Sequence, residues 1–590
     1  MSPSVSNRIF KIQELVGIIC KYMDASDRAR LAQSCRRLFY MLMPSLWERV
    51  EGLARLFALS PYLDRMSREK HHNLYTEPGI EQFVASQKPL DDEDLVRFDV
   101  YSPWIKRLEV CKHGSAPECD AALALLYICS KRRAILPSIE LISLTVRLNF
   151  RADPIWVIPF LSSSLLGLEF SITDSSYHWS IPLVESTILL SLVSTECPQL
   201  RTLGFTPRDS SYSLPHRPRI SLLHTLTHIA DQILEQKLSH YLGYYITTMQ
   251  PLVRFASSVD IMDVSCFELI STWPCLESFE LMFEQVFEQD GYSLELPSFP
   301  ETAFPVLTHF GLHQIPDWSI LEEVWDCSAL VGNLTSVKLN MAESCVNFEN
   351  DTVDDPIFAF SVIATRSPNS QKLWFHVENP DGDDPAYEIS TSDLNALGSL
   401  PLRGLHLGGI EFEDPKAVPR YMAATFSRIQ ELGLPDHLIT LNELQAFRSE
   451  LPLLEVLRIK IELETIAPDF EVDLSDVPRH RNIPLHTLGA NFIGNTEEES
   501  RSDILSMKCS SAKAFSNYLF TLWPNVQIIP QGDVQYVTGT YRHQNAMDLI
   551  NDQLARLSYC NREPSIKYRN INVLNEDSWE KCKLWVEDMC

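Results

Sequence analysis

The stretch Pro452-Leu453-Leu454-Glu455-Val456-Leu457-Arg458-Ile459 carries the pattern that decides the fold. Leu454, Leu457 and Ile459 follow the spacing L-x-x-L-x-L, whose last two apolar residues alternate as in a strand with one buried face. Pro452 stands two residues ahead of the pattern, where a proline ends a helix and favours extended backbone before it. The stretch therefore predicts a helix that is followed directly by a short strand.

The same pattern recurs along residues 100–530, with other apolar residues allowed at the leucine positions. Copies begin at Leu141, Leu165, Leu200, Leu276, Leu307, Leu334, Leu402, Ile429 and Leu454. Weaker copies begin at Ile105 and Leu485, and another ends in Leu373-x-Phe375. The starts at 276, 307 and 334 and those at 402, 429 and 454 are 25–31 residues apart, close to the roughly 20–29 residues of leucine-rich repeats. The gap between 200 and 276 predicts a degenerate copy near Val259 and Ile261.

One such unit cannot cover its own apolar face, so neighbouring units must stack. The predicted fold is α/β, an irregular leucine-rich-repeat solenoid with parallel strands on its concave face. An ordinary mixed α/β domain, in which the leucines fill a single core, stays open as the alternative. The length of 590 residues requires either several domains or a stack, because a single core stops growing near roughly 250–300 residues.

Charge and composition exclude several classes of function. The chain has 50 basic and 78 acidic residues, a net charge of −28, which disfavours broad nucleic-acid binding but allows one local basic patch. No H-E-x-x-H, phosphate-binding G-x-x-x-x-G-K or G-x-S-x-G motif occurs, so we expect no enzyme activity, no cofactor and no metal site.

The 14 cysteines form no C-x-x-C pair. The apolar run 121–129 is shorter than the roughly 20 residues of a membrane helix, and we expect a soluble cytoplasmic or nuclear protein.

Residues 9–49 predict three short helices. Apolar residues recur at helical spacing in the first helix, at Ile12, Leu15, Val16, Ile19 and Met23. The second carries Leu31, Cys35 and Leu38, and Pro44 is expected just inside the last, ahead of Leu46 and Trp47. So small a module cannot bury its apolar stripe by itself. Either the rest of the chain covers the stripe, or a groove of a second protein does.

The order of these residues resembles the F-box motif, most closely as it occurs in F-box proteins of basidiomycete fungi. The likeness comprises Ile9–Val16, Ile19, Asp27, Leu31-Ala32, Ser34–Phe39 and Leu46-Trp47. Gln13 stands where the family usually has proline. The resemblance implies docking to the Skp adaptor of a cullin–RING ubiquitin ligase, and carried over by position the contact residues are Ile12, Leu15, Val16, Ile19, Leu31, Cys35, Leu38, Leu46 and Trp47. Residues 1–50 hold eight Lys/Arg and four Asp/Glu, a local charge that suits the family's acidic adaptor.

The predicted organisation is an F-box-like helical module at 1–50, a helical linker or N-terminal cap at 51–100, the repeat solenoid at 101–530 and a C-terminal cap at 531–590. The concave strand face is expected to bind a target protein through Thr202, Ser278, Glu280, His309, His406, Arg458 and Lys460. Two functions remain: a ubiquitin-ligase substrate adaptor, or an interaction scaffold whose first helices only cap the repeats. Exposure of Leu15, Ile19 and Leu31 favours the adaptor, and burial against residues 50–110 favours the cap.

Overall fold

The structure is a computed structural model that describes residues 13–21, 23, 25–60, 92–110, 134–146, 156–172, 181–208, 244–249, 251–259, 264–283, 296–342, 354–378, 387–462, 485–493, 509–530, 550–551, 553–554 and 557. The chain divides into two compact units. The first unit contains Met1–Ala386 and Asp393–Pro401, and the second contains Tyr387–Ser392 and Leu402–Cys590.

The first unit begins with the three predicted helices, α1 (Gln13–Lys21), α2 (Ala25–Ser34) and α3 (Arg36–Trp47). They enclose a small core of Val16, Cys20, Ala32, Leu38 and Leu42. The predicted helix boundaries were wrong at two places. The break falls at Cys35, whose extended backbone caps α3, and Pro44 lies inside α3 rather than near a helix start. Because proline has no N–H, α3 lacks one backbone hydrogen bond there.

Most strands of the first unit lie at the positions of the sequence pattern. They are β1 (Arg49–Glu51), β2 (Arg107–Glu109), β3 (Leu141–Val146), β4 (Gly167–Ile172), β5 (Ile181–Pro182), β6 (Thr202–Gly204), β7 (Pro207–Arg208), β8 (Arg254–Ser258), β9 (Ser278–Met282), β10 (His309–Ile315), β11 (Ser336–Met341) and β12 (Lys372–Val377). Strands β5 and β7 pair with each other. The others form a parallel sheet in chain order.

Two positions in this sheet differ from the sequence prediction. The sheet starts at Arg49, ahead of residue 101, because the chain leaves α3 directly as a strand that pairs with β2. The degenerate copy is β8, a few residues before the predicted Val259 and Ile261. Its second inward position is Ser257, which is buried. A serine at that position hides the apolar alternation on which the prediction depended.

Helices cover one face of the first-unit sheet. Their bounds are α4 (Leu53–Phe57), α5 (Asp92–Tyr101), α6 (Leu183–Glu196), α7 (Val264–Ser271), α8 (Ser319–Trp325), α9 (Ser328–Val331) and α10 (Asp354–Arg366), with 3-10 helices at Ser102–Trp104, Ile158–Phe160 and Thr391–Ser399. On the covered face Phe255, Phe279 and Phe310 are neighbours in register, with ring centroids 6.0 and 5.9 Å apart. Trp325 of α8 packs on Phe310. We call the opposite face of each sheet its outward face.

The second unit repeats this architecture. Its strands are β13 (Tyr387–Ile389), β14 (Gly404–Gly408), β15 (Ile410–Phe412), β16 (Glu431–Ile439), β17 (Val456–Glu462), β18 (Thr487–Ile493) and β19 (Gln527–Pro530), and its helices are α11 (Val418–Thr425), α12 (Leu441–Glu450) and α13 (Cys509–Leu522). Strands β14, β16, β17, β18 and β19 pair in parallel in that order. Parallel pairing in chain order, with buried L-x-L residues, confirms the predicted leucine-rich-repeat fold over the single-core alternative.

A side chain closes the last described strand of this unit. Asn551 Nδ2 donates to the Ile528 carbonyl at 2.7 Å, and the Ile528 N–H donates to Asn551 Oδ1 at 2.8 Å. Ile550 and Leu554 are buried beside it. These contacts fall within the predicted C-terminal cap, 531–590, of which the structure describes residues 550, 551, 553, 554 and 557.

Candidate functional site

The outer face of α1 is apolar and exposed. Leu15, Ile18 and Ile19 are 37%, 52% and 36% exposed, and residues three and four apart share one face of a helix. Val16 and Cys20, on the other face, are 1% and 8% exposed. The apolar residues predicted to form one stripe therefore lie on two sides of α1. Val16 lies on the side that packs into the core of the module, and Leu15 and Ile19 lie on the side that faces solvent.

The docking contacts that the resemblance implied divide accordingly. Leu15, Ile19 and Cys35 are exposed, Leu31, Leu46 and Trp47 are half-buried, and Val16 and Leu38 are buried. The two buried residues hold the helices together, so they can support a docking surface but cannot touch a partner. Ile12 lies outside the described residues. Ile18 was missed, although its spacing from Leu15 placed it on the same helical face.

A cleft of about 250 Å³ lies on the other side of α1. It lies between α1 and α3 and is lined by Val16, Gly17, Cys20, Arg28, Met41, Leu42 and Ser45. A methyl group added at Gly17 would meet no atom within 4 Å. The cleft therefore lies on the side of α1 that carries Val16 and Cys20, away from the exposed Leu15, Ile18 and Ile19.

The module is fixed to the repeats through aromatic side chains. Trp47, at the end of α3, lies 4.6 Å from the Tyr101 ring, and Phe39 lies 6.0 Å from Trp104. Tyr101 and Trp104 also contact each other. Only Glu48 separates α3 from β1. The helical module therefore continues into the first strand without a linker.

The residues predicted on the strand face all lie on strands at positions that are not buried. Thr202, Ser278, Glu280 and His309 belong to the first unit, and His406, Arg458 and Lys460 to the second. Between them stand buried residues such as Leu203, Phe279 and Leu457. The period-2 alternation of a strand thus places the predicted residues on the outward faces.

Glycines on the outward faces let long side chains lie across the sheet. A Cβ at Gly433 would stand 2.0 Å from His406 Nδ1, and one at Gly489 would stand 2.8 Å from Arg458 Cγ. In the first unit a Cβ at Gly311 would approach Glu280 Cγ to 3.0 Å. Each of these glycines leaves the space that a neighbouring side chain occupies, and none of them has a positive φ.

Glu280 crosses Gly311 to reach two partners. Its Oε2 lies 2.7 Å from His313 Nε2 and 3.7 Å from Lys338 Nζ. The hydrogen bond from His313, aided by the charge of Lys338, lowers the pKa of Glu280 to about 2 although burial opposes the shift. Burial lowers the pKa of His313. Glu280 is thus an ionised and compensated carboxylate at neutral pH.

Possible metal ligands are not clustered in the described part of the chain. No group of three or more His, Cys, Asp or Glu residues there could hold a metal ion. Within the same segments, every helix is too short or too polar to span a lipid bilayer.

No protein-family model matches the chain, and no curated protein matches it. Among solved structures, the crystal structure of the TLR13–ssRNA13 complex aligns over 73% of this chain and 53% of that chain, with 11% identity and a TM-score of 0.29. The crystal structure of the mouse RP105/MD-1 complex aligns over 72% of this chain and 79% of that chain, with 11% identity and a TM-score of 0.23. This chain therefore spans about half the length of the TLR13 chain.

Proposed function

We propose that this chain is a substrate-recognition adaptor of a Skp–cullin–F-box ubiquitin ligase. In this proposal the outer face of α1 docks the Skp adaptor, and the outward strand faces bind a target protein. The chain performs no covalent chemistry itself. It holds the target near the ubiquitin-carrying enzyme and so raises the effective concentration of the target's lysines.

The exposed apolar face of α1 is the observation that carries the proposal. An apolar side chain that becomes fully buried on docking contributes about 1.5–3 kcal/mol, before the cost of association is subtracted. Leu15, Ile18 and Ile19 form a continuous set of this kind, and none of them belongs to the buried core of the module. The local excess of Lys/Arg in residues 1–50 supports an acidic partner.

The aromatic contacts between α3 and residues 101–104 support the same function. A substrate adaptor has to keep its bound target at a defined distance from the ligase, which a flexible linker would not do. Trp47 packed on Tyr101 and the direct passage from α3 to β1 supply a stiff connection.

A repeat scaffold unrelated to ubiquitination is the second candidate. The same aromatic cluster favours it, because α3 covers residues at the start of the repeats as a cap would. A cap, however, has no need of an exposed apolar face. Leu15 and Ile19 are exposed and Leu31 is half-buried, a distribution that favours docking.

Capture of the full chain by purified Skp adaptor tests the proposal. Replacing both exposed residues, Leu15→Asp with Ile19→Asp, is expected to weaken capture by about tenfold or more, since about 1.4 kcal/mol corresponds to tenfold. The matched control is Val96→Asp with Val100→Asp, which changes two exposed apolar residues at the same spacing on α5. Equal capture of wild type and the α1 variant would reject docking through this face.

A further inference from the structure

Strand β16 of the second unit contains a bulge. Leu434 is in register with Ile459 of β17, and Leu438 is in register with Lys460, the next residue of that strand. Residues 435–437 therefore have no register partner on β17, and we call them the β16 bulge. A bulge interrupts the backbone ladder and re-aims the side chains that it carries. The contacts that hold this segment must therefore come from outside the ladder between β16 and β17.

Asp436 fastens one side of the β16 bulge. The N–H of Gly409 donates a hydrogen bond to Asp436 Oδ2 at 2.6 Å, and Asp436 Oδ1 lies 3.6 Å from Lys460 Nζ. Gly409 has a φ of +70°, a conformation that glycine adopts without strain. One carboxylate thus joins the bulge both to the turn between β14 and β15 and to strand β17.

His437 occupies the buried side of the same bulge. It is fully buried, and neither of its ring nitrogens has a hydrogen-bond partner among the described residues. Its ring packs edge-on against Phe412 of β15, with the ring centroids 5.4 Å apart. A polar group that is buried without a partner costs free energy. The segment that Asp436 stabilises is therefore destabilised by the adjacent histidine.

The surroundings of His437 disfavour a charged ring. The buried residues of the neighbouring strands β14 and β17 are apolar, and on β15 Glu411 alternates with Phe412 and so lies on the opposite face. Glu443 of α12 favours the protonated ring, but its carboxylate also accepts a hydrogen bond from the Thr440 N–H. Burial outweighs the effect of Glu443 and lowers the pKa of His437 to about 4.

We propose that the β16 bulge is an acid-sensitive latch. Protonation of His437 moves its ring out of the core and opens residues 435–438, which breaks the contacts of Asp436 with Gly409 and Lys460. The rest of β16 stays in place, because the ladder before the bulge and the capping box of α12 after it take no part in the opening. Lys460 lies on the outward face of the second unit, so opening changes that surface. No step of the opening involves the Skp adaptor, and in this respect it goes beyond the proposed function.

The pH range of the opening follows from the two states of His437. In the opened bulge the ring is in water and has its ordinary pKa of 6.5, whereas the closed bulge lowers that pKa to about 4. The opened state therefore takes up its proton first, and opening becomes more favourable as the pH falls from about 6.5 to about 4. Relative to about pH 8, the opening equilibrium rises roughly fourfold at about pH 6 and roughly 30-fold at about pH 5.

Hydrogen exchange of the full chain, followed by mass spectrometry at these pH values, tests the latch after correction for the intrinsic pH dependence of exchange. In peptides that contain residues 435–438, protection is expected to fall by the same roughly fourfold and 30-fold. His437→Leu is expected to keep the protection of these peptides constant. The matched control is His486→Leu, which removes an exposed histidine of the same unit and is expected to retain the pH dependence of wild type.

Three results would overturn the latch. The first is protection of residues 435–438 in wild type that does not change with pH. The second is a pH dependence that persists in His437→Leu, because another group would then control the opening. The third is an equal loss of protection in β14, β17 and the bulge, which would mean that the proton destabilises the whole unit rather than opening one segment.

Discussion

At the scale of single residues, His437 is buried without a polar partner. It is 0% exposed, and neither ring nitrogen has a hydrogen-bond partner among the described residues. Its ring packs against Phe412 at 5.4 Å, next to the register shift in β16 between Leu434 and Leu438. Burial lowers the pKa of His437 to about 4 from an ordinary 6.5. The neutral imidazole is thus a cost to stability rather than a source of it.

Replacing it by an apolar residue should stabilise the protein. His437→Leu is expected to raise the free energy of unfolding by about 1 kcal/mol at neutral pH, because an unsatisfied buried group is removed. In wild type the unfolded state takes up the proton first, so stability is lost as pH falls from about 6.5 to about 4. Urea unfolding across this range should show the gap between variant and wild type widening as pH falls. If the free energies of unfolding of variant and wild type differ by the same amount at every pH, the buried neutral state of His437 is rejected.

At the scale of elements, β19 shows how a strand at the edge of the described sheet is closed. An uncovered edge exposes backbone donors and acceptors that can pair with another chain. The Asn551 side chain occupies both the N–H and the carbonyl of Ile528. The amide of Asn551 therefore satisfies the two backbone groups of Ile528 that a further strand would otherwise pair with.

Removing that amide should weaken the second unit. Asn551→Ala is expected to lower the free energy of unfolding by about 1–3 kcal/mol, because two buried backbone groups lose their partners. Hydrogen exchange of the Ile528 amide should accelerate, as measured by mass spectrometry of the full chain. Asn517→Ala, at an exposed position of α13, is the control and should leave that amide unchanged. Unaltered protection in Asn551→Ala would show that the side-chain cap is dispensable.

At the scale of the whole molecule, charge acts against the folded state. The net charge is −28, and self-repulsion of this kind destabilises compact structures. Several ion pairs, such as Arg366 with Asp326 at 3.0 Å and Lys106 with Glu140 at 3.2 Å, join half-exposed side chains. Pairs of that exposure contribute little, so they do not offset the repulsion.

Salt should therefore stabilise this protein. Raising NaCl from about 0.01 M to about 0.15 M shortens the Debye length from about 30 Å to about 8 Å, and the melting temperature is expected to rise by a few degrees near neutral pH. Near pH 5.0, the isoelectric point, the rise should disappear because the net charge does. A melting temperature that fell with salt at neutral pH would mean that attractive pairs dominate.

The sequence by itself determined the repeat fold. Spaced leucines such as Leu454 and Leu457 need neighbouring repeats to cover them, and prolines such as Pro452 set where a helix ends. The local sequence pattern therefore favours the same stacked arrangement of repeats that buries the leucines. The same alternation was enough to place His309 and Arg458 on an outward face. It failed at β8, where Ser257 takes an inward position and breaks the apolar signal.

Only the tertiary structure decided which residues of the first helix are exposed and which outward residues are neighbours. Val16 and Ile19 are equally apolar in the sequence, and packing against α2 and α3 alone buries the first and leaves the second exposed. Arg254, His309 and Lys372 are far apart in the chain, and no local pattern relates them. Strand register brings them into one row, because parallel pairing depends on stacked repeats rather than on sequence distance.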